Sequence, residues 1–450
     1  MMRSMYSGVS GLKVHQTKMD VIGNNIANVN TNGFKSQRVT FSEVFSQTIS
    51  GATGASDDTD RGGVNPMQVG LGVSVASIDN LMTQGAAQRT DNPFDIMISG
   101  DGFIIAGDAS GRYFTRAGAL RQDEQGNLVI PNGMKVQGWM AQENPATNKY
   151  EIKPGVVEDI NLGRADIQTA TPVASKSANI TGNLCSTDDT AMSSVSFYDS
   201  LGNYYTVPIQ FEKVKTGNPP VPQPNQWTIS VAQTDNQYIM RDSKGNAIDL
   251  GADLFTGATI EFDPATGKIS AANGNVSQDP NAPLGTFELT FDSTVTDQTG
   301  SAIGQQGIIS LDLSNLTQFT TKKSDLTATT TSGREAGTLQ GFSVGNDGII
   351  TASYSNGELR PVAQIPLAAF SNPAGLEKAG DNLFVASTNS GEFDGIGEAG
   401  TFNTGVLEMS NVDLSQEFTD MITTQRGFQA NSRIISVSDE MLQELTNLKR

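Results

Sequence analysis

The residues that could perform acid–base, nucleophilic or metal chemistry are few in this sequence of 450 residues. His15 is the single histidine and Cys185 is the single cysteine. A Ser/His/Asp or Cys/His nucleophilic site would need His15, which lies in an N-terminal segment with helical periodicity. Zinc sites built from several histidines or cysteines are excluded. Cys185 allows no intrachain disulfide, so we interpret it as a structural thiol, with an interchain cross-link as the alternative.

Two patterns that could bind ligands fail on their spacing. A calcium-binding loop beginning at Asp58 would need glutamate at its twelfth position, which is Val69. Gly100-Asp101-Gly102 lacks the spacing and the lysine of a phosphate-binding loop. The 48 acidic residues leave a paired-carboxylate site open, with solvated surface acids as the plainer interpretation. We therefore expect no catalytic site, no cofactor and no metal, and a protein that is not an enzyme.

Composition and charge narrow the class of protein further. The net charge of −19 argues against nucleic acid as a partner, because the phosphate backbone repels an acidic protein. The 47 glycines and the low charged fraction of 17% are typical of exported β-rich proteins. The sequence contains no apolar run of about 18 residues, so we expect no membrane insertion. The N-terminus lacks the apolar segment and cleavage site of a secretory signal peptide.

The elements that organise the chain lie at its two ends. Near the N-terminus, apolar residues recur at steps of three and four, which predicts one face of a helix: Met5, Val9, Leu12, Met19, Ile22, Ile26 and Val29. Glycines and asparagines inside this segment weaken it as an isolated helix. Asn32-Gly33 is expected to end it, because both residues tolerate the left-handed conformation. The segment therefore needs other helices around it.

The C-terminus carries the strongest helix signal, over residues 413–448. Asp413 is a good N-cap, and Gln416 follows at the spacing of a capping box. A helix of this length spans about 54 Å, which suits a coiled coil or bundle. A long surface helix on an ordinary domain is the alternative. Its predicted apolar stripe is Leu414, Phe418, Met421, Phe428, Ile435, Leu442, Leu445 and Leu448. Residues 1–41 are basic and residues 411–450 are acidic, which supports pairing of the ends.

The middle of the chain changes to the period of two that predicts β-strands. Turn sequences such as Asn132-Gly133 and Ser200–Asn203 separate the strands. Pro219–Pro224 is interpreted as a surface polyproline loop, and Thr327–Ser332 as a threonine-rich linker. The predicted fold class is mixed α and β, in which paired, coiled-coil-like terminal helices enclose mainly-β domains. The predicted domains are residues 1–41 with 411–450 (terminal helical polymerisation domain), 42–70 (connector), 71–155 with 333–410 (inner β domain) and 156–332 (inserted outer β domain).

Both ends also resemble known signatures. Residues 24–35, Asn-Asn-Ile-Ala-Asn-Val-Asn-Thr-Asn-Gly-Phe-Lys, resemble the N-terminal signature of the bacterial flagellar axial proteins, the rod, hook and hook-associated subunits. Asn411-Val412-Asp413-Leu414 and the run from Gln425 to Asn431 resemble the C-terminal signature of the same family. Residues 92–103, residues 198–203 and the large middle insertion are similar to the hook subunits of that family. The rod subunits resemble the chain at its ends but are much shorter.

The resemblance implies a structural function. Hook subunits polymerise into a curved helical tube, a universal joint that joins the motor's rod to the filament and transmits torque. The resemblance further implies export through the flagellar type III apparatus, location in the hook and basal body, and ordering of the ends on assembly. The implied partners are further copies of the chain, the rod, the hook cap, the hook–filament junction and hook-length control proteins, and the export apparatus.

We expect the assembly interface to lie on the helix faces and the end of the N-terminal signature. Its predicted residues are Met5, Val9, Leu12, Met19, Ile22, Ile26, Asn28, Gly33, Phe34, Leu414, Phe418, Met421, Phe428, Ile435, Leu442 and Leu445. A distal rod or hook-associated subunit is the alternative within the family. A secreted β-rich adhesin or polysaccharide-active enzyme is the alternative outside it, and it would fold as a monomer with ordered ends.

Overall fold

The structure is a computed structural model with long helices at both ends and β-structure between them. It describes residues 2–54, 62–108, 111–145, 149–217, 221–234, 237–250, 253–255, 257–274, 276–277, 283–289, 309–330, 332–391, 396–397 and 400–448. The start of the rejected calcium loop, Asp58, and the first prolines of the polyproline segment, Pro219 and Pro220, lie outside these residues. The helices are α1 (Met2–Ala27), the single-turn α2 (Ala165–Gln168) and α3 (Leu414–Asn447), with a 3₁₀ turn at Pro373–Gly375.

The strands before α2 are β1 (Gln37–Glu43), β2 (Ser46–Ser50), β3 (Met67–Gly70), β4 (Val73–Asn80), β5 (Ala87–Arg89), β6 (Ile96–Gly100), β7 (Phe103–Asp108), β8 (Gly111–Thr115), β9 (Arg121–Gln122), β10 (Leu128–Val129), β11 (Lys135–Asn144), β12 (Lys149–Ile152) and β13 (Glu158–Asp159). Those that follow it are β14 (Thr169–Ala170), β15 (Ser177–Cys185), β16 (Thr190–Tyr198), β17 (Tyr204–Thr216), β18 (Val221–Val231), β19 (Gln233–Thr234), β20 (Gln237–Asp242), β21 (Ala247–Asp249), β22 (Thr259–Phe262), β23 (Ile269–Asn273), β24 (Thr286–Leu289), β25 (Ile309–Asp312), β26 (Leu316–Phe319), β27 (Asp325–Thr330) and β28 (Gly337–Val344). The last strands are β29 (Ile349–Tyr354), β30 (Leu359–Gln364), β31 (Leu367–Ala368), β32 (Glu377–Gly380), β33 (Leu383–Val385), β34 (Ile396–Gly397), β35 (Gly400–Thr404) and β36 (Val406–Glu408).

The chain divides into two compact units. The terminal unit comprises Met1–Arg164, Phe342–Ala352 and Arg360–Arg450, and the central unit comprises Ala165–Gly341 and Ser353–Leu359. The mainly-β fold with terminal helices agrees with the sequence expectation. The domain boundaries and the coiled-coil character of the helices stay predictions.

The terminal unit is built around antiparallel strand pairs. β7 pairs with β8 and β11, and β33 pairs with β8 and β32. Large aromatic side chains fill the core where these strands meet: Phe103, Phe114, Phe370 and Phe384. The chain returns to α3 through β35 and β36, which pair with β6 and β5. This return places the start of α3 beside residues close to the end of α1.

The central unit contains two sheets that share one hydrophobic core. One sheet is built on the hairpins β16–β17 and β17–β18, and the other places β15 beside β25, β26 and β27. Trp227 and Phe211 are completely buried in the shared core. Cys185, at the end of β15, is a buried free thiol whose Sγ lies 3.0 Å from the Thr187 hydroxyl. Hydrogen bonds from Thr187 and Thr321 lower the pKa of this thiol to about 7.

Several turn predictions are confirmed. Asn132-Gly133 connects β10 to β11, where Val129 pairs with Lys135. Ser200–Asn203 connects β16 to β17, and the Asp199 carboxylate accepts hydrogen bonds from the backbone and side chain of Asn203. A short side chain that accepts hydrogen bonds at the start of each turn, followed by a glycine, determines these hairpins. Because these residues are close together in the sequence, the sequence alone predicts the turns.

Three predictions of irregular structure are wrong. The segment interpreted as a connector, 42–70, contains both strands of the β2–β3 ribbon. Residues 327–330 of the threonine-rich linker belong to β27, which pairs with β15, because β-branched threonine suits a strand. Val221 and Pro222 of the polyproline segment belong to β18 and pair with β17 beside a β-bulge, a position where a strand tolerates proline.

The structure also corrects the predicted end of α1 and the predicted capping of α3. α1 ends at Ala27, before the predicted Asn32-Gly33, and turns fill the interval. Asp413 is the N-cap of α3, and its side chain accepts hydrogen bonds from the amides of Ser415 and Gln416. Among the described residues, the Gln416 side chain accepts no hydrogen bond from the backbone N–H of Asp413, so the capping box does not close. Its side-chain NH₂ group donates to the Asp420 carboxylate, one turn further along α3.

Candidate functional site: the junction of the chain ends

The first part of the site is the pairing of α1 with α3. Ser4 lies 3.5 Å from Ser438 between hydroxyl oxygens, and Lys18 forms a 3.7 Å ion pair with Asp420. Residue numbers therefore rise along one helix as they fall along the other, so the two helices are antiparallel. The sequence expectation that the two ends pair is confirmed.

Glycines mark the points where the helices approach each other. A Cβ atom at Gly8 would lie 3.2 Å from Ile435, and one at Gly11 would lie 2.9 Å from the Asn431 side chain. On the other helix, a Cβ at Gly427 would lie 2.8 Å from the His15 ring. The glycines that weaken α1 as an isolated helix therefore let the backbones come close. Their cost in helix propensity is offset only when the partner helix is present.

The predicted interface residues of α1 are divided by burial. Ile22 is buried, and Val9 is exposed. Four others are half-buried: Met5, Leu12, Met19 and Ile26.

On α3 the predicted residues also fall into two groups. The half-buried group is Met421, Phe428, Ile435 and Leu442. The exposed group is Leu414, Phe418 and Leu445, with Phe418 50% exposed. Two small polar residues that the sequence analysis did not select, Thr424 and Ser438, are the buried ones on this helix. The large apolar residues flank the contact with α1, and small residues occupy its centre.

The turn after α1 holds the next three predicted residues. The Asn28 side chain donates to the backbone oxygen of Asn24 and accepts from the Thr31 hydroxyl, which closes the helix end. Gly33 has φ of +69°, and a Cβ there would lie 2.9 Å from the Ala117 amide nitrogen, so glycine is required on both grounds. Phe34 is buried, with the Lys378 ammonium 4.7 Å from its ring centroid.

Two asparagines fasten the N-terminal segment to the C-terminal one. Asn25 is buried in α1, exchanges hydrogen bonds with the backbone of Gln37, and donates 2.9 Å to the Glu417 carboxylate of α3. Asn411 accepts from the Ser36 amide at 2.8 Å and donates to the backbone oxygen of Leu81. Each side chain satisfies backbone groups from segments distant in sequence, which fixes their relative position.

A buried ion pair lies at the centre of the junction. The Lys35 ammonium is 2.6 Å from the Glu408 carboxylate, and both side chains are essentially inaccessible. Lys35 also donates to the backbone oxygen of Thr83, and the same Glu408 oxygen accepts from the Gly85 amide. Burial lowers the pKa of Lys35, and its hydrogen bond with Glu408 opposes that shift. The pair joins the N-terminal signature to β36 and to the segment before β5.

Arg116 adds a second buried cation beside this pair. Its guanidinium lies 4.9 Å from the Phe103 ring centroid and 3.8 Å from Asp101, whose side chain is exposed. Among the described residues, its three side-chain nitrogens have no hydrogen-bond partner, and neither has the second Glu408 oxygen. Burial lowers the pKa of Arg116, while the charge of Glu408 raises it. Glu408 therefore balances two buried cations.

The contact between α1 and α3 contains two further titratable groups, Glu417 and His15. Burial is the main cause that raises the pKa of Glu417, and its hydrogen bond from Asn25 opposes the shift. Burial lowers the pKa of His15, and the positive charge of Lys18 lowers it further.

Sequence reasoning missed several residues that fix the junction, chiefly Lys35, Glu408 and Arg116 as a charge cluster. Lys35 and Asn411 stand within the family signatures, so that signal was available. Nothing local marks Arg116 or Glu408, because burial of a charge depends on strands far apart in sequence. Among the described residues, no group of three or more His, Cys, Asp or Glu side chains could hold a metal ion. No described helix is long and apolar enough to span a membrane.

Four family models match the chain, and together they cover most of it. They are "Flagella basal body rod protein" over residues 5–35, "Flagellar hook protein FlgE/F/G D1 domain" over 97–182, "Flagellar basal body protein FlaE D2 domain" over 168–334, and "Flagellar basal body rod FlgEFG protein C-terminal" over 403–448. The first and last contain both sides of the junction between the chain ends.

Curated relatives match over the full length. The chain is 39% identical to the flagellar hook protein FlgE of Borreliella burgdorferi over 474 aligned residues, covering 100% of both chains. It is 36% identical to the FlgE of Treponema pallidum, again covering 100% of both, and 31% identical to that of Escherichia coli, covering 98% of each. The chain therefore belongs to the flagellar hook protein family, the structural subunits of the hook of the bacterial flagellum.

Proposed function

We propose that this chain assembles with copies of itself into a helical tube that acts as the hook's universal joint and transmits torque from rod to filament. The terminal helices, residues 1–41 and 411–450, form its polymerisation domain, and the β regions form the inner domain (71–155 with 333–410) and the outer domain (156–332). Its role is structural rather than enzymatic.

The observation that carries this proposal is the apolar surface left by the helix pair. Several large apolar side chains of α3 remain exposed after α1 is in place: Leu414, Phe418, Ile422, Ile434, Val437, Met441 and Leu445. Met2, Tyr6 and Val9 of α1 are exposed as well. Large apolar side chains left exposed in this number on a helix pair mark an interaction site. Because the relatives are hook subunits, the partner we propose for this surface is the helix pair of neighbouring copies.

Assembly also explains why the N-terminal sequence is a weak helix by itself. Neighbouring helices supply the burial that the glycine- and asparagine-rich segment lacks. We propose further that the chain is exported through the flagellar type III apparatus and contacts the rod, the hook cap, the junction proteins and the length-control protein. A distal rod subunit is the second candidate, because two of the matching family models describe basal body rod proteins.

The test is assembly of the purified full-length chain, measured by sedimentation and electron microscopy. We expect tubular polymers from the wild type, and loss of sedimentable polymer in Phe418→Ser and Val437→Ser. Met192→Ser is the matched control, because Met192 is an exposed apolar residue of the central unit. Normal polymers from the two helix variants would contradict the proposal. Straight, rigid tubes from the wild type would favour the rod.

A further inference from the structure

The single histidine of the chain is half-buried among three elements of the terminal unit. His15 lies on α1, its ring packs edge-on against Phe41 of β1 with the centroids 6.2 Å apart, and α3 presents Gly427 to it. Any side chain at Gly427 would collide with the ring, so α3 approaches the imidazole with bare backbone. His15 is thus part of the contact between the helices.

The surroundings suit a neutral imidazole and oppose a charged one. The Nδ1 atom of His15 is buried and has no hydrogen-bond partner among the described residues. A neutral ring can leave Nδ1 as an unprotonated acceptor, whereas an imidazolium has N–H groups at both nitrogens. A buried N–H without an acceptor, on a charged ring, is costly. Protonation would therefore favour an arrangement in which His15 reaches water.

The neighbouring charges do not compensate such a proton. Lys18 lies one turn along α1 and is the charged group that acts on His15, in the unfavourable direction. Asp420 of α3 forms an ion pair with Lys18. The other charged residues of these elements are Arg3, Lys13 and Asp20 on α1, Glu417, Arg426, Arg433, Asp439, Glu440 and Glu444 on α3, and Arg38 and Glu43 on β1. Arg38 pairs with Asp79 of β4.

We propose that the contact of His15 with Gly427 and Phe41 is an acid-sensitive latch, which holds α1 against α3 while the imidazole is neutral and loosens when it gains a proton. Because α1 and α3 form the proposed polymerisation domain, the inference rests on the proposed function. Its consequence is a polymer that releases subunits on mild acidification.

The direction follows from linkage. The pKa of His15 in the folded chain lies below its ordinary value of 6.5, so the folded state binds fewer protons than the unfolded state in that range. The pairing of α1 with α3 therefore has its full stability above pH 6.5, the ordinary pKa of histidine, and loses stability as the pH falls through the pKa that His15 has in the folded chain. Glu417 acts oppositely, because its raised pKa stabilises the folded state on acidification. The His15 contribution must therefore be isolated by substitution.

The experiment compares polymers assembled at about pH 7.5 and then transferred to about pH 5, a range in which histidine titrates. Released subunit is measured in the supernatant after sedimentation. We expect several-fold more release from the wild type at the lower pH. The His15→Gln variant cannot gain this proton, so its polymers should release the same amount of subunit at both pH values. The matched control is the double variant His15→Gln/Gln16→His, which moves the histidine to an exposed position of α1 and should behave like His15→Gln.

The outcomes separate the two proposals. Failure of the wild type to assemble at about pH 7.5 would contradict the proposed function. Assembly followed by equal release from wild type and His15→Gln would overturn the latch, as would acid release restored by the exposed histidine of the double variant. If His15→Gln does not assemble, His15→Phe replaces it, because it keeps a ring against Phe41, and the same comparison applies.

Discussion

The buried ion pair between Lys35 and Glu408 allows a sharp test of how the junction is held. Substituting Glu408→Gln leaves Lys35 and Arg116 buried, with only the exposed Asp101 carboxylate nearby. Removing one member of a buried pair typically costs about 3–5 kcal/mol, because the remaining charge is uncompensated. In this protein two cations lose their counterion, so we expect the free energy of unfolding to fall by an amount at the upper end of that range.

The complementary substitution should be milder. Lys35→Met leaves Glu408 with the positive charge of Arg116 and with the hydrogen bond from the Gly85 amide. We expect a cost near the lower end, about 3 kcal/mol. The double variant Lys35→Met/Glu408→Gln should lose clearly less than the sum of the two single variants, because the groups are in direct contact.

The measurement is urea unfolding followed by tryptophan fluorescence. The chain has two tryptophans, Trp139 in the terminal unit and Trp227 in the central unit. A Trp227→Phe background makes Trp139 the reporter of the terminal unit. Asp91→Asn is the matched control, because Asp91 forms an ion pair of the same 2.6 Å length with Arg89 that is exposed. Exposed pairs contribute little to stability, because water and salt screen them. The reasoning is refuted if Glu408→Gln costs no more than Asp91→Asn, or if the double variant is additive.

Two further predictions concern the helix pair. Gly11→Ala should weaken pairing, because its Cβ would lie 2.9 Å from the Asn431 side chain, whereas Gly23→Ala meets nothing within 4 Å and should gain up to about 1 kcal/mol of helix stability. Circular dichroism at 222 nm during thermal unfolding compares the two variants, and equal shifts would contradict the close approach of the helices. Glu417→Gln should stabilise pairing at neutral pH, because the carboxyl group has a raised pKa and its charged form is the disfavoured one. As the pH falls through the pKa of Glu417 in the folded chain, the wild type should gain stability from this carboxyl group, and the variant should not. Hydrogen exchange of the Asn25 backbone amide, compared at neutral and mildly acidic pH, measures the difference.

Local patterns in the sequence determined the elements of this protein well. The three- and four-residue periodicity predicted both terminal helices, and the Asp413 cap predicted the start of α3. The turn sequences Asn132-Gly133 and Ser200–Asn203 predicted the β10–β11 and β16–β17 hairpins. These features depend on residues within a few positions of each other, so a single sequence contains them. The family signatures at the two ends likewise indicated the family to which the chain belongs.

Only the tertiary structure decided what those residues touch. Gly11 and Gly427 weaken a helix when considered locally, yet they are the positions where the other chain end approaches most closely. Threonine-rich 327–330 reads as a linker until β15 supplies its pairing partner. Glu408 looks like any surface acid, but the return of the chain through β36 buries it beside Lys35 and Arg116. Burial of a charge and close approach of backbones depend on segments hundreds of residues apart, and no local pattern encodes that distance.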